Sequence, residues 1–302
     1  MYVILHIGAH RCATTTFQHY MRANADRLNV DGIGFWGPRR TRSGLFRGIL
    51  PKPGPRFRKD QQRRAEGRIQ LNLERCRRQD LAALLVSDEN MIGSVRENLR
   101  LSELYCGVGE RMARYHAAFG TQATDVMIGI RSLDHYWTSA LNYAVARGRQ
   151  VPSAAAVERL ANTTRSWRDV ITDVACAAPE ARLWVFPFET FAGQPEAKLG
   201  AVLPIATPQA HAREHCNGSP NLSALRNQIS ASQANRLPIE GDTWAPFSSR
   251  QASRLRERYA DDMHWLWAGA DGLARLPATM TKKRARSRLA CRLENGAHVS
   301  PS

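Results

Sequence analysis

The chain has 302 residues, 43% of them apolar, and its 43 Lys and Arg against 27 Asp and Glu give a formal net charge of +16. That length supports a sizeable core, the charge favours polyanions, anionic lipid or a multiply charged nucleotide, and no apolar run approaches the ~20 residues of a membrane-spanning helix. Six scattered cysteines without a CxxC pair, and no charged-then-apolar leader ahead of the first strand, set the expectation of a reduced, cytoplasmic protein.

Tyr2 to Ile7 is a β-branched and apolar run, Gly8 to Ala13 reads as a tight turn, and Thr14 to Asn29 has helical spacing at Phe17, Met21, Ala25 and Leu28. This predicts a buried strand, a loop of anion size, and a helix whose unpaired N–H groups and positive dipole end point into the loop. Arg11 adds a fixed charge with forked donors, and the hydroxyls of Thr14, Thr15 and Thr16 can bond oxygens or cap the helix. Gly8-xxxx-Ala13-Thr14-Thr15 lacks the second glycine and the lysine of a Walker loop, which disfavours a nucleoside triphosphatase. Without a ligand, the same stretch is an ordinary first βα turn capped by Thr14.

Gly32 to Gly37 reads as a short strand or edge segment. From Arg39 to Arg78, twelve arginines and two lysines face only Asp60, Glu66 and Glu74. Pro51, Pro53, Gly54 and Pro55 divide this basic insertion, about 38–79, into a loop and a helix from Lys59 to Gln79. It is either a solvated surface or a lid and acceptor wall over the first loop. The rings expected of a single-strand nucleic-acid binder are nearly absent, with Phe46 and Phe57 alone.

Leu81 to Ser87 is a buried strand with Asp88-Glu89-Asn90 at its carboxyl end, where ligands sit in open α/β sheets. Ser87 or Asp88 can also cap the following turn, with Glu89 as its first-turn acid. Leu99 to Phe119 has the spacing of one amphipathic helix, and Thr124 to Ile130 reads as a third central strand ending at Arg131. In the next helix Leu133, Trp137, Ala140, Leu141 and Ala144 form the apolar stripe, with Ser139 off it. Two helices, 153–162 and 164–177, precede a fourth strand over 182–187; Glu189 then reads as a cap and 250–267 as a long helix. His211-Ala-Arg-Glu-His215 matches a zinc-peptidase pattern, but its surroundings are turn-rich and no third ligand is near in sequence, so no metal is expected. The tail from Thr279 is basic.

His-Ile-Gly-Ala-His-Arg-Cys-Ala-Thr-Thr-Thr, Ser-Asp-Glu-Asn, and Arg131 followed by Ser139 eight positions on resemble, in that order, the sulfotransferase family in its bacterial form. The resemblance covers about 1–270 and is specific in those three motifs. It departs at Arg11, where lysine is usual, at Cys12-Ala13, where a Thr-Gly or Ser-Gly pair is usual, and at Ser132-Leu-Asp-His, which replaces a frequent Asn-Pro-x-Asp-Arg.

It implies a P-loop-like α/β three-layer sandwich with a central parallel sheet flanked by helices. It also implies sulfuryl transfer from 3′-phosphoadenosine 5′-phosphosulfate to an acceptor hydroxyl or amine without a metal. Arg11, Cys12, Ala13, Thr14, Thr15 and Thr16 would hold the 5′-phosphosulfate, Arg131 and Ser139 the 3′-phosphate, and Glu89 would be the base. Two other classes stay open: a phosphotransferase of the same fold and loop, and a non-catalytic basic protein that binds nucleic acid or anionic glycan through the 39–78 segment.

Overall fold

The computed structural model describes residues 1–50, 59–216 and 218–280. The chain runs β1 (Tyr2–His6), α1 (Thr14–Ala23), α2 (Ala25–Val30), β2 (Ile33–Trp36), α3 (Lys59–Arg77), β3 (Ala83–Ser87), α4 (Val95–Leu101) and α5 (Val108–Phe119). It continues with β4 (Ala123–Ile130), α6 (Leu133–Ala146), α7 (Ala154–Ala161), α8 (Trp167–Ala177), β5 (Arg182–Pro187), α9 (Pro195–Val202), α10 (Leu222–Gln228) and α11 (Ser249–Trp267).

Successive side chains of a strand point to opposite faces, and here both faces are apolar. Val3 and Leu5 of β1, Leu84 and Val86 of β3, and Val126 and Ile128 of β4 enter one core cluster with Met112, Trp137 and Trp167. Ile4, Leu85 and Met127 enter a second cluster with Phe17, Tyr20 and Leu199. Each such side chain, fully buried, contributes about 1.5–3 kcal/mol. The result is an α/β architecture in three layers, with helices on both sides of one sheet.

All five strands are parallel, in the order β2-β3-β1-β4-β5. Central β1 pairs with β3 in the register His6 to Ser87 and with β4 in the register His6 to Met127. β2 and β3 lie on one side of β1, and β4 and β5 on the other. The crevice outside the carboxyl end of β1 therefore opens between the ends of β3 and β4, the switch point at which such sheets take ligands. Among the described residues no helix is long and apolar enough to cross a membrane.

Two expected helices are each divided. The 14–29 helix breaks at Asn24, whose side-chain amide donates to the Tyr20 carbonyl, and resumes as α2. The 99–119 helix begins earlier, at Val95, with Ser94 capping the Glu97 amide, then stops at Ser102 in left-handed conformation and restarts after Gly107. Leu104 and Tyr105 between the two pieces are buried, so the apolar periodicity survives the break and hides it. The proline-rich loop of the insertion and the basic tail beyond Met280 lie outside the described residues.

Candidate functional site

A cavity of about 320 Å³ opens at the switch point, lined by Arg11, Ala13, Thr14, Thr15, Thr16, Glu89, Arg131 and Ser139, together with His10, Tyr143 and Ser219. Three stretches far apart in sequence meet there because β3, β1 and β4 are neighbours.

The loop from Gly8 to Ala13 is built from left-handed turns: Gly8, Arg11 and Ala13 have φ of 42°, 64° and 60°. At Gly8 a Cβ would stand 2.5 Å from Thr14 Oγ1, so glycine is required. Arg11 and Ala13 tolerate the conformation at a cost of about 1 kcal/mol or more each. α1 starts at Thr14 without a side-chain cap, which leaves its first amides without intrahelical acceptors and facing the cavity end.

The threonines divide their work. Thr14 is not the cap; its hydroxyl donates to the Ala9 carbonyl at 2.9 Å and holds the loop closed. Thr16 Oγ1 accepts from the Cys216 amide at 3.1 Å. Thr15 lines the cavity, and its hydroxyl bonds no other described residue. Cys12 is a correction to the expected contact set. Its side chain is 2% exposed beneath the loop, against Gly129 of β4, and its amide donates to the Ala9 carbonyl. Burial pushes its thiol up to about 12, so it stays neutral.

Arg11 and Arg131 stand on the β4 side of the cavity. Arg11 Nε donates to Ser139 Oγ at 2.9 Å and Nη2 to Ser219 Oγ at 3.0 Å, and the two hydroxyls are 3.1 Å apart. Arg131 Nη1 donates to the Arg11 carbonyl at 3.1 Å, its guanidinium lies 4.0 Å over the Phe188 ring, and its buried Nε has no partner among the described residues. Neither arginine forms an ion pair with a described carboxylate. Both guanidiniums are held below the ordinary arginine value, chiefly by burial and, for Arg11, next by repulsion from Arg131. Lys198 of α9 adds a cation near Cys12; it is 3% exposed, and burial lowers it to about 8. Arg11 and Arg131, which line the cavity without an ion-pair partner among the described residues, favour an anion there.

Ser139 sits inside α6's buried surface, contrary to the expected off-stripe position, because that helix is covered nearly all round. Glu189 does not cap its own short turn; its carboxylate accepts from the Ser132 amide at the start of α6 and from the Tyr259 hydroxyl.

On the β3 side, Asp88 caps the turn that begins with Glu89, and Glu89 nevertheless lines the cavity. Gln18 of α1 donates to Glu89 Oε2 at 2.9 Å and to Ser87 Oγ at 3.1 Å. Ser87 in turn lies 2.7 Å from His6 Nδ1. Burial holds His6 neutral, down at about 3. Arg42, from the basic insertion, pairs with Asp88 at 2.7 Å and Glu89 at 2.9 Å. Burial alone would raise the Glu89 carboxyl, but the Gln18 hydrogen bond, its own backbone amide and Arg42 together hold it below its ordinary value.

His10 lies inside the first motif without a role in it, and Gln18, Arg42, Tyr143 and Ser219 lie outside all three motifs. Gln18 alone had a legible signal, one helical turn beyond Thr14 on the same face.

The His-x-x-Glu-His stretch is a strap. Segment 208–216 lies along α1 through Tyr20 to the Pro208 carbonyl, Asn24 to the Ala210 carbonyl, His19 to Glu214 at 2.6 Å, and Thr16 to Cys216. His19 from α1, His211 and Glu214 offer ligand atoms within 4.8 Å of one another, whereas His215, the second histidine of the pattern, is not in that group. Arg22 donates to His19 Nδ1, however, which places the imidazole proton on Nε2, aimed at Glu214.

Comparison of the chain with protein-family models, with curated proteins and with solved structures gives no match.

Proposed function

We propose that the chain is a sulfotransferase of P-loop-like fold that moves a sulfuryl group from 3′-phosphoadenosine 5′-phosphosulfate to an acceptor hydroxyl or amine. The observation that carries this reading is the convergence of Arg11, Arg131, Ser139 and Glu89 on one cavity, cations on one side and a carboxylate on the other.

In this reading the free amides at the start of α1, Thr15 and Arg11 hold the 5′-phosphosulfate. Arg131, with its unpartnered Nε, and the hydroxyls of Ser139 and Ser219 hold the 3′-phosphate. The acceptor oxygen or nitrogen attacks sulfur in line, the bond from sulfur to the bridging phosphate oxygen breaks, and adenosine 3′,5′-bisphosphate leaves. Glu89 takes the acceptor's proton, and Arg11 and the helix dipole stabilise the charge that grows on the bridging oxygen.

Calorimetric titration with adenosine 3′,5′-bisphosphate, beside ATP with Mg²⁺, tests the assignment. Micromolar or tighter binding of the bisphosphate alone is expected. Preference for ATP would replace the proposal with a phosphotransferase, and binding of neither would leave the basic surface as the working part.

A further inference from the structure

Beside the site lies a second, larger trough of about 640 Å³ that shares Val95 and Tyr143 with it. Its rim carries four exposed arginines: Arg96 and Arg100, one turn apart on α4, and Arg147 and Arg149, just past the end of α6. No acidic side chain lines it. Arg100 has Glu97 at 3.7 Å on its own helix; Arg96, Arg147 and Arg149 form no ion pair with a described carboxylate.

The carboxyl end of α6 accounts for Arg147 and Arg149, since cations are stabilised there. It does not account for Arg96 and Arg100, which α4 turns to the same side. The trough also communicates with the loop. The Arg147 and Arg11 guanidiniums both lie against the Tyr143 ring, at 4.5 and 5.1 Å from its centre. The Val95 side, by contrast, belongs to the chain that follows Glu89.

We propose that this trough is the acceptor subsite and that it takes a small hydroxyl compound carrying its own phosphate, sulfate or carboxylate groups. The inference rests on the sulfotransferase reading. An acceptor whose hydroxyl approaches Glu89 past Val95 lays its remaining length along Arg96 and Arg100, and anionic groups best answer four exposed guanidiniums of which three have no carboxylate partner among the described residues. A volume of this size suits a ligand of one to a few rings and not a polymer.

The test uses the full chain saturated with adenosine 3′,5′-bisphosphate, so that added anions are read outside the donor site. Glucose 6-phosphate, glucose 6-sulfate and glucuronate are titrated beside glucose, which separates the three anionic groups from one another and from the neutral sugar. At least one anionic probe is expected to bind about tenfold more tightly than glucose. Arg96→Gln with Arg100→Gln should erase that preference, whereas Arg75→Gln with Arg78→Gln, which removes equal charge from the exposed carboxyl end of α3 and the turn after it, should preserve it.

Equal binding of charged and neutral sugars, or a preference lost equally in both double variants, overturns the anionic acceptor while leaving sulfuryl transfer standing. Failure of the bisphosphate itself to bind, seen before any sugar is added, brings down the sulfotransferase reading and the acceptor subsite with it.

Discussion

Arg11 Nε donates to Ser139 Oγ at 2.9 Å across 128 positions of sequence, which joins the loop after β1 to the helix after β4. The bond orients a guanidinium that has no carboxylate partner among the described residues. Replacing Arg11 with Ala should therefore weaken bisphosphate binding by about 100-fold or more, the loss of two charge-assisted contacts, with the far-ultraviolet dichroism unchanged. Arg11→Lys should recover part of the affinity, because it restores charge but not the fork. Wild-type affinity in the alanine variant would remove the loop from the donor site.

Glu89→Gln preserves shape and still offers an oxygen to Gln18 while abolishing proton acceptance. Turnover should fall by about 10²–10⁴-fold with bisphosphate affinity changed only a few-fold. A proportional loss of both would mean that Glu89 positions the donor and does not take the proton.

The partners of Glu89 also make a pH prediction. Its carboxyl is held below its unfolded value of about 4.5, so its contribution to stability is complete above that pH and is lost as pH falls through the lower folded value. Arg42→Met leaves burial, which raises the carboxyl, less opposed. The variant should be less stable at pH 7 by about 1 kcal/mol, a modest figure because Arg42 is half-exposed, and the gap should narrow below pH 4.5. Urea unfolding at pH 7 and pH 4 measures both; a gap that widens in acid contradicts the pairing.

The strand ends were legible, because runs such as Leu81 to Ser87 and Thr124 to Ile130 are apolar on both faces and stop at Asp88 and Arg131. The parallel, helix-covered sheet follows from that pattern. Gln18 and Arg42 were not legible as parts of the site. A glutamine in a helix and one arginine among twelve in the basic insertion look like surface residues until β1 and β3 pair and bring Glu89 against them. The stretch that holds His211 and Glu214 reads from the sequence as turn-rich, as it is in the structure, but its attachment to α1 was not legible, because it comes from hydrogen bonds to α1 and not from periodicity.

Ala13 holds φ at 60° as the residue before α1. Ala13→Gly removes the left-handed cost of about 1–2 kcal/mol and returns part of it as unfolded-state freedom, for a net gain of about 0.5–1 kcal/mol. Ala13→Val should lose at least that much. Thermal unfolding of both variants decides, and a less stable glycine variant would show that the alanine methyl packs to advantage.

Lys198 sets stability against electrostatics. Burial brings its ammonium from 10.5 down to about 8, so at neutral pH the folded protein carries a charge that the core disfavours. Because the folded value lies below the unfolded one, the cost is full below pH 8 and fades as pH rises from 8 towards 10.5. Lys198→Met should thus be more stable than wild type at pH 7 by about 2–3 kcal/mol, and the advantage should shrink between pH 8 and 10. The same substitution removes a cation from beneath the anion loop, so bisphosphate affinity should drop several-fold in the stabilised protein. Guanidinium unfolding at pH 7 and pH 9.5, with titration of the ligand, reads both effects. A methionine variant that gains stability and keeps full affinity would make the lysine a burden without a role, and one that loses stability at pH 7 would mean that its charge is compensated within the fold.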